Sequence, residues 1–507
     1  MPDPSASLTC LVTGATGYIG GRLVPELLAA GHRVRVMTRS PDRIRDHPWS
    51  HLVEVVRADA GDAGQVATAC AGVDVVYYLI HALGSGAEFE EIDRRTARVM
   101  ADAVRRAGVG RLVYLGALQP EDEELSPHLR SRTEVAEILL ASGVPTVVLR
   151  AAVVLGSGSA SFEMLRYLTE RLPVMVTPRW VHSLIQPIAV RDVLRYLVGC
   201  ARLPASVHRC FDVGGPDVMN YAEMMQRYAV VAGLPRRRIL PVPLFTPSLS
   251  SHWVGLITPV PSGIARPLVE SLRNTVVCAE HDIAEYVPDP PEGLLGFDEA
   301  VRLAVQRVHD SAVATRWASA SVPGAPSDPL PTDPDWAGGS LYVDDRTRVT
   351  PAAPDAVWRV VEGIGGSAGW YSFPLAWEVR GRLDRAVGGV GLRRGRRDPR
   401  RLYVGDALDF WRVEALEPGR LLRLRAEMRV PGLAWLEFHV EHGDPENGGG
   451  TVLRQRATFA PRGLAGHLYW WAIAVFHGVV FGGMIRGVAR AAEDGDQTSS
   501  WADANSR

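Results

Sequence analysis

Three glycines near the amino terminus have a spacing that suits a phosphate-binding turn. They are Gly14, Gly17 and Gly20 in the stretch TGATGYIG, after the apolar run 8–12. The first glycine permits a tight turn, the second lets the backbone approach a pyrophosphate, and the third lets a helix pack closely on a strand. The pattern predicts a dinucleotide site at a helix amino terminus; the alternative is a glycine-rich turn without a ligand. The predicted contacts in this turn are Thr13, Gly14, Thr16, Gly17, Tyr18, Ile19 and Gly20.

Two arginines follow the second predicted strand, 34–37. Arg39 comes directly after its end, and Arg43 lies one turn further on. An NAD site usually has an Asp or Glu here, which accepts a hydrogen bond from the ribose 2′-hydroxyl. Guanidinium groups instead form charge-assisted hydrogen bonds with a 2′-phosphate. The sequence therefore predicts NADP(H), and the alternative is that both are ordinary surface charges in an arginine-rich chain.

The ends of the next two predicted strands add four candidates. Asp59 ends the strand in HLVEVVRADAGD, and the strand in VDVVYYLIHALG ends near His81. Asp59 is predicted to lie near the adenine amino group, unless it is a loop carboxylate or a helix cap. Ala60 and Leu79, together with His81, complete the predicted cofactor site at these strand ends.

A parallel sheet is needed to bring these residues together. From residue 8 to about residue 155, short apolar strands alternate with amphipathic helices such as EEIDRRTARVMADAVRRAGV. This alternation predicts an α/β fold, a Rossmann-like doubly wound parallel sheet with helices on both faces.

Composition limits the function classes. The chain has 507 residues and a formal charge of −2, which predicts two or three domains and argues against nucleic-acid binding. All basic residues counted as Lys plus Arg are Arg, so Schiff-base chemistry and a P-loop lysine are excluded. Five scattered cysteines without a CxxC pair predict a cytoplasmic compartment and no zinc site. The start of the chain, MPDPSASL, predicts no secretory signal.

The segments TGATGYIG, RADAGD and SRTEVAEILLASGVPTVVLR together resemble atypical and extended short-chain dehydrogenase/reductases. The NmrA-like proteins and the NADPH-binding accessory subunit of respiratory complex I belong to that neighbourhood. HSLIQPIAVRDVLRYL and FDVGGPDVMNYAEMM look like later segments of such chains, so the resemblance covers about residues 8–310. It implies hydride transfer to or from a nicotinamide.

The resemblance also implies a catalytic trio of Ser, Tyr and Lys, from which this chain departs. Gly116 occupies the Ser position, His128 the Tyr position and Arg132 the Lys position. Arg132 can still supply positive charge and hold the ribose, and its type follows the general use of Arg in this chain. His128 is the predicted acid or base, and a nearby Arg favours its neutral form. The alternative is that His128 is a loop residue without chemistry.

The remaining sequence predicts a division into further parts. In the family, a region rich in Pro and apolar residues such as LPVPLFTPSLSSHWVGL builds a lid over the substrate, although core packing explains it equally well. The segment ASASVPGAPSDPLPTDPDWAGGS has the composition of a linker. The predicted parts are a Rossmann domain 1–215, a lid subdomain 216–317, a linker 318–340, a second domain 341–490 and a polar tail 491–507.

Alternating strands predict that the second domain is an antiparallel sheet. In RLLRLRAEMRV, apolar Leu422 and Leu424 alternate with Arg423 and Arg425, so one face is apolar and the other charged and wet. The order of strand, helix, strands and long helix resembles the α+β START-like helix-grip fold. GDALDFWRV and PRGLAGHLYWW look like the uncharacterised domain found behind atypical reductases in bacteria.

A START-like fold implies an apolar ligand between sheet and helix. The aromatic residues predicted to line its cavity, or otherwise to form ordinary core, are Trp370, Tyr371, Trp377, Phe410, Trp411, Trp435, Tyr469 and Trp470. The run 463–485 has no Asp, Glu or Arg and is long enough to cross a bilayer, but a helix covering the sheet is favoured over a membrane segment. His467 and His477 do not share a helical face, so no metal site is predicted.

These observations leave two hypotheses. The first is an NADP(H)-dependent reductase that acts on a hydrophobic carbonyl or enone, with a second domain that binds an apolar molecule. The second is a sensor or scaffold that binds NADP(H) without catalysis, which the altered trio favours.

Overall fold

The structure is a computed structural model that forms two compact units. It describes residues 7–45, 47–82, 89–120, 125–177, 179–241, 257–258, 260, 262–271, 274–313, 340–365, 369–371, 401–428, 430–443 and 450–504. The units are Met1–Gly339 and Ser340–Arg507. Residues 318–339 of the predicted linker lie outside the described residues. The predicted division of the first unit into a Rossmann domain and a lid stays a prediction.

A seven-stranded parallel sheet forms the centre of the first unit, in the order β11-β6-β5-β4-β1-β2-β3. Its strands are β1 (Thr9–Thr13), β2 (Arg33–Thr38), β3 (Glu54–Arg57), β4 (Val75–Tyr78), β5 (Arg111–Ala117), β6 (Thr146–Ala151) and β11 (Arg209–Val213). The short strands β7 (Val154–Leu155), β8 (Val174–Thr177), β9 (Leu184–Ile185), β10 (Ile188–Ala189), β12 (Met219–Asn220) and β13 (Arg238–Pro241) pair outside this sheet. The strand order reverses between β1 and β4, where such sheets bind ligands at their carboxyl ends.

The described part of the first unit contains ten helices, some of which cover the two faces of this sheet. They are α1 (Tyr18–Ala29), α2 (Asp42–Arg45), α3 (Ala63–Cys70), α4 (Phe89–Ala107), α5 (Pro127–Leu140), α6 (Ala160–Arg171), α7 (Val190–Cys200), α8 (Tyr221–Val231), α9 (Ser262–Ser271) and α10 (Phe297–Val313). Leu23 of α1 and Leu194 of α7 pack in one core cluster. Met100 of α4 and Leu139 of α5 pack in another. The predicted doubly wound α/β fold is confirmed, since burial on both faces makes its strands read as continuous apolar runs.

The second unit contains a six-stranded antiparallel sheet in the order β14-β19-β18-β17-β16-β15. Its strands are β14 (Tyr342–Thr350), β15 (Ala407–Leu408), β16 (Trp411–Glu417), β17 (Leu421–Ala426), β18 (Gly432–His442) and β19 (Thr451–Pro461). The helices α11 (Pro354–Glu362) and α12 (Gly463–Ala504) contribute Val357 and Met484 to the same core as Leu424 and Leu436 of the sheet. The predicted antiparallel sheet with helices is confirmed, whereas its START-like identity stays a prediction.

One prediction about this sheet is wrong. Arg423 was expected on the wet, charged face, but it is buried and 6% exposed. Its Nε donates to Oε1 of Glu437 on the adjacent strand at 2.7 Å, and Glu437 is 3% exposed. A buried guanidinium requires a partner, and Glu437 provides it from the next strand. The alternation of apolar and charged residues within one strand could not reveal this ion pair.

The aromatic residues predicted to line a cavity fall into two groups. Trp370, Phe410 and Trp411 are buried, with ring centroids 5.7–6.2 Å apart, and belong to the core. Trp470 stacks on Tyr342 and Phe459 where α12 begins. Trp377 lies outside the described residues. The buried trio therefore supports the alternative of core aromatics.

The apolar part of α12 raises the question of a membrane. In the described part of the chain, no single helix is both long and apolar enough to span a bilayer. The segments Gly463–Ala474 and Phe476–Gly495 pass that test only together, and they meet at 62°. The sequence favours a helix that covers the sheet over a membrane segment, and that preference stays a prediction.

Candidate functional site

The glycine turn between β1 and α1 has a backbone that side chains would obstruct. Gly14 has φ +71°, and a Cβ added there would lie 2.6 Å from the carbonyl oxygen of Leu79. A Cβ on Gly20 would lie 2.4 Å from the carbonyl oxygen of Gly14. Gly17 is the N-cap of α1, where no side chain caps the helix and the first turn has no acidic residue. The first N–H groups of α1 are thus suited to an anion, and the turn fits a dinucleotide pyrophosphate.

A Gly14→Ala substitution is expected to lower the free energy of unfolding by about 2 kcal/mol more than Gly31→Ala. Both positions have positive φ, which costs a non-glycine residue about 1–3 kcal/mol. Gly31, at φ +81°, has no atom within 4 Å of an added Cβ, so it isolates that backbone cost. The contact with Leu79 adds overpacking of about 1–3 kcal/mol at Gly14 alone. Urea unfolding measures both variants, and equal losses would contradict the steric explanation.

Four other predicted contacts of this turn have different surroundings. The hydroxyl of Thr13 is fully buried, accepts from the backbone N–H of Leu79 at 3.0 Å and donates to the carbonyl oxygen of Tyr77 at 3.0 Å. It therefore joins the ends of β1 and β4, and the predicted contact of Thr13 with a cofactor stays a prediction. Tyr18 begins α1, and Ile19 packs on the core. Thr16 is half-buried within the turn.

Arg39 and Arg43 are exposed just beyond the end of β2. No ion pair or hydrogen bond of either side chain is found among the described residues, while the carboxylate of Asp42 pairs with Arg45. Two unpaired guanidinium groups at this strand end are available to a phosphate, as the sequence predicted.

Asp59 and Ala60 follow β3 at the same edge of the sheet. Oδ1 of Asp59 accepts from the backbone N–H of Gly61 at 2.7 Å, so this carboxylate fixes its own turn. Asp62, not Asp59, caps α3, and it accepts from Gly64 and Gln65. The exposed Asp59 side chain stays a predicted neighbour of the adenine.

A cluster of polar side chains lies where β4 and β5 end. Nδ1 of His81 lies 3.0 Å from Oδ2 of Asp93 on α4, and the His81 and His128 ring centroids are 5.3 Å apart. His128 occupies the first turn of α5, where Ser126 caps the helix and Pro127 begins it. The structure thus brings His81 and His128 together and places His128 in a helix, not in a loop.

Asp93 holds this cluster together through three hydrogen bonds. Its carboxylate accepts from the backbone N–H of Ala82 at 2.8 Å and from the hydroxyl of Ser131 at 3.2 Å, besides the bond with His81. Burial raises the pKa of Asp93, but the bonds from His81 and Ala82 and the charge of Arg132 hold it below its usual value. Asp93 is therefore ionised at neutral pH, and His81 carries its proton on Nδ1.

Burial keeps both histidines neutral. Burial and then the charge of Arg132 lower the pKa of His81 to about 4, although Asp93 opposes the shift. Burial, followed by His81 and Arg132, lowers the pKa of His128 well below its usual value. At neutral pH the pair consequently offers hydrogen bonds and lone pairs, not a positive charge.

Arg132 is fixed to the sheet beside these rings. Its Nη2 donates to the carbonyl oxygen of Leu115 at 2.6 Å, and its guanidinium lies 5.1 Å from the Tyr114 ring centroid. Gly116 faces Tyr114, where an added Cβ would lie 3.2 Å from the ring. The nearby Gln119 donates from Nε2 to Oγ1 of Thr133 at 2.8 Å. The position of the missing Ser hydroxyl is therefore taken up by packing.

Sequence reasoning missed Asp93 and Ser131. A signal for Asp93 was present, since it shares the buried face of α4 with Ala97, Met100 and Val104 at helical spacing. A carboxylate on an apolar stripe requires partners and therefore marks a buried polar site. In the part of the chain that the structure describes, no group of three or more His, Cys, Asp or Glu is arranged to hold a metal ion.

Acid is expected to destabilise the folded chain partly through His81. The unfolded chain takes up a proton there near pH 6.5, whereas the folded chain does so only near pH 4. The contribution of neutral His81 to stability is thus complete above pH 6.5 and is lost as the pH falls towards 4, by on the order of 3 kcal/mol. In thermal unfolding between pH 7 and 4.5, a His81→Gln variant should lose less stability than the unmodified chain. His51→Gln, at an exposed histidine, is the control; parallel curves for all three proteins would refute the assignment.

Two family models match separate parts of the chain. Residues 14–160 match a family described as NAD(P)H-binding. Residues 336–484 match a protein family of unknown function, DUF2867. The first unit therefore contains an NAD(P)H-binding domain, and a distinct domain of the second family follows it. Both the predicted cofactor class and the predicted pairing with an uncharacterised domain are confirmed.

Individual relatives match the first unit. A ceramide reductase of Caulobacter vibrioides is 29% identical over 57% of this chain and 92% of its own length. Subunit 9 of the mitochondrial NADH dehydrogenase 1 alpha subcomplex of Mus musculus is 24% identical over 49% of this chain and 67% of its own length. The predicted resemblance to the complex I subunit is confirmed.

A solved structure has a similar fold. The triphenylmethane reductase of Citrobacter sp., complexed with NADP(H), is 19% identical over 58% of this chain and 99% of its own, with a TM-score of 0.46.

Proposed function

We propose that the first unit is an NADP(H)-dependent reductase of a hydrophobic, lipid-like carbonyl compound or enone, and that the second unit binds an apolar molecule. The cluster of His81, Asp93, His128 and Arg132 carries this proposal. It places titratable groups with shifted pKa values at the carboxyl edge of a dinucleotide-binding sheet, where catalytic groups are expected. The likeness to a ceramide reductase supports a lipid-like substrate.

A helix of the predicted lid region lies close to the cluster. The hydroxyl groups of Ser126, the cap of α5, and Ser271, at the end of α9, lie 3.0 Å apart. α9 therefore lies beside the first turn of α5, which carries His128. The buried Ala265 and Val269 of α9 pack with Met164. This placement supports a lid role for the region around α9, while residues 242–256 of the predicted lid lie outside the described residues.

Each group of the site has a proposed role. The glycine turn holds the pyrophosphate, and Arg39 and Arg43 hold the 2′-phosphate. The bound nicotinamide supplies the hydride. His128 exchanges a proton with the substrate oxygen, and Arg132 contributes positive charge without losing a proton. No serine hydroxyl is available at Gly116 to bind the developing oxyanion.

The test is a fluorescence titration of the full chain with NADPH, followed by absorbance at the NADPH band with a series of keto-lipids, enones and short ketones. We expect turnover to rise with chain length, because transfer to an apolar site gains about 0.8 kcal/mol per buried CH₂. Binding of NADPH without oxidation by any of these compounds would favour the sensor, which the lost Ser and Tyr positions support. Absence of NADPH binding would overturn both.

A further inference from the structure

Two imidazole nitrogens in neighbouring buried rings have no hydrogen-bond partner among the described residues. They are Nε2 of His81 and Nδ1 of His128. A buried polar atom without a partner costs about 1–3 kcal/mol. Because the two atoms lie in adjacent rings, one hydrogen bond between them would satisfy both.

We propose that His81, held by Asp93, is a positioning residue that acts through His128 and sets which nitrogen of His128 faces the substrate. This inference rests on the proposed reductase function and deepens it. His81 donates its Nδ1–H to Asp93, so its Nε2 is an acceptor. That acceptor is suited to the Nδ1–H of His128, which leaves Nε2 of His128 free for the substrate oxygen.

The geometry allows this bond. The two ring centroids are 5.3 Å apart, and the rings are inclined at 37°. When two ring nitrogens point at each other across that distance, they lie about 3 Å apart, which is a hydrogen-bond length. Nδ1 of His128 has no other partner among the described residues, so the bond would break no existing one.

The arrangement moves one proton in each direction of the reaction. During reduction, bound NADPH would supply the hydride, with its own C–H bond breaking and NADP⁺ left behind, while the carbonyl carbon gains the new C–H bond. The C=O π pair would move to oxygen, and protonated Nε2 of His128 gives that oxygen its proton. During oxidation the same bonds break, and neutral Nε2 takes the hydroxyl proton. His81 accepts a hydrogen bond from Nδ1–H of His128 throughout. The positive charge of the protonated His128 ring is therefore shared with His81 and stabilised by the carboxylate of Asp93.

The charges facing the pair come from two helices. Asp93 of α4 raises the pKa of both histidines, whereas Arg132 of α5 lowers the pKa of both. Removing the charge of Asp93 leaves Arg132 unopposed and makes protonated His128 rarer. Without the charge of Asp93, reduction at a pH above the pKa of His128 should be slower. In the unmodified chain, kcat/KM should rise as the pH falls from 8 towards 5.

The central experiment is an Asp93→Asn substitution in the full chain. The backbone N–H of Ala82 occupies the side-chain oxygen, so the new amide N–H₂ faces His81 and requires a lone pair on its Nδ1. We expect both His81 and His128 to change from the Nδ1–H to the Nε2–H tautomer. We also expect kcat for keto-lipid reduction to fall at least 10-fold with the affinity for NADPH unchanged. Asp102→Asn, at an exposed aspartate of the same helix, is the matched control.

Tautomers are read by long-range ¹H–¹⁵N correlation in protein labelled at its 14 histidines. The His81→Gln and His128→Gln variants assign the two signals, and they provide a second route if Asp93→Asn does not fold. Nε2–H tautomers in the unmodified chain, or tautomers unaffected by Asp93→Asn, overturn the inference. A third outcome is a change from Nδ1–H to Nε2–H tautomers in Asp93→Asn, with no turnover of any compound by the unmodified chain. That outcome supports the positioning role of His81 and contradicts the reductase function. Restored tautomers and a restored pH profile in Asp93→Glu support the role of the carboxylate.

Discussion

A His128→Gln variant is expected to reduce keto-lipids at least 100-fold more slowly than the unmodified chain and to bind NADPH equally well. Glutamine preserves much of the volume and one hydrogen-bond donor, but it cannot take up or release a proton at neutral pH. A positioned acid or base contributes about 10²–10⁴-fold to such reactions. The affinity for NADPH should persist because the glycine turn and the arginines after β2 are not altered. Stopped-flow absorbance measures the first, and NADPH fluorescence the second.

His51→Gln is the matched control, because this histidine is exposed on the one-turn segment before β3. It should leave both quantities unchanged. Since His128 is buried at 9% exposure, thermal unfolding must show that its variant remains folded. A folded His128→Gln variant with unchanged kcat would show that the proton comes from another source. The sensor hypothesis would gain support if few of the tested compounds oxidised NADPH.

The sheet and the glycine turn were predictable because local physics determines them. A buried parallel strand must be apolar along its length, and a turn with a carbonyl oxygen 2.6 Å from the nearest possible Cβ requires glycine. Those rules leave marks in consecutive residues. They do not depend on how distant parts of the chain come together, and so a single sequence reveals them.

The cluster of His81, Asp93, His128 and Arg132 was only partly predictable, since His81 was named from its strand end and Asp93 was missed. Two residues on α5, His128 and Arg132, stand four apart in the sequence and were found through family resemblance. Asp93 lies 38 residues before Ser131, its hydrogen-bond partner, and 12 after His81. Nothing local connects these three residues, because their contact is produced by the packing of α4 against α5 beside the end of β4. The same reason explains the second unit, where the partner of Arg423 is 14 residues away on another strand.

Thr13 has a structural role that the sequence did not predict. It stands beside the glycine turn, so the sequence placed it at the cofactor, and that contact stays a prediction. Its hydroxyl also bonds the carbonyl oxygen of Tyr77 and the backbone N–H of Leu79, two backbone groups at the end of β4. Residues at strand ends commonly serve the backbone first, and only those whose hydrogen bonds are not already used, such as Arg39, remain available to a ligand.

Replacing both Arg39 and Arg43 by Ser is expected to weaken NADPH binding about 100-fold and to leave NADH binding nearly unchanged. Hydrogen bonds to charged groups contribute about 1.5–3 kcal/mol each, and these two guanidinium groups have no other described partner to compete with a 2′-phosphate. NADH lacks that phosphate, so it should lose little. Isothermal titration of the full chain with each nucleotide, at 50 mM and 200 mM salt, should also show that the salt dependence of NADPH binding becomes weaker in the variant.

Arg33→Ser provides the matched control for this variant, because Arg33 is exposed at the opposite end of the same strand. It also removes an exposed arginine, but one far from the strand end at which the nucleotide is proposed to bind. The affinities for NADPH and NADH should therefore both be preserved. If the double variant and the control behaved alike, the guanidinium groups after β2 would be ordinary surface charges. The preference for NADP(H) would then have to come from another part of the site or be absent, while the pyrophosphate turn and the NAD(P)H-binding fold would still stand.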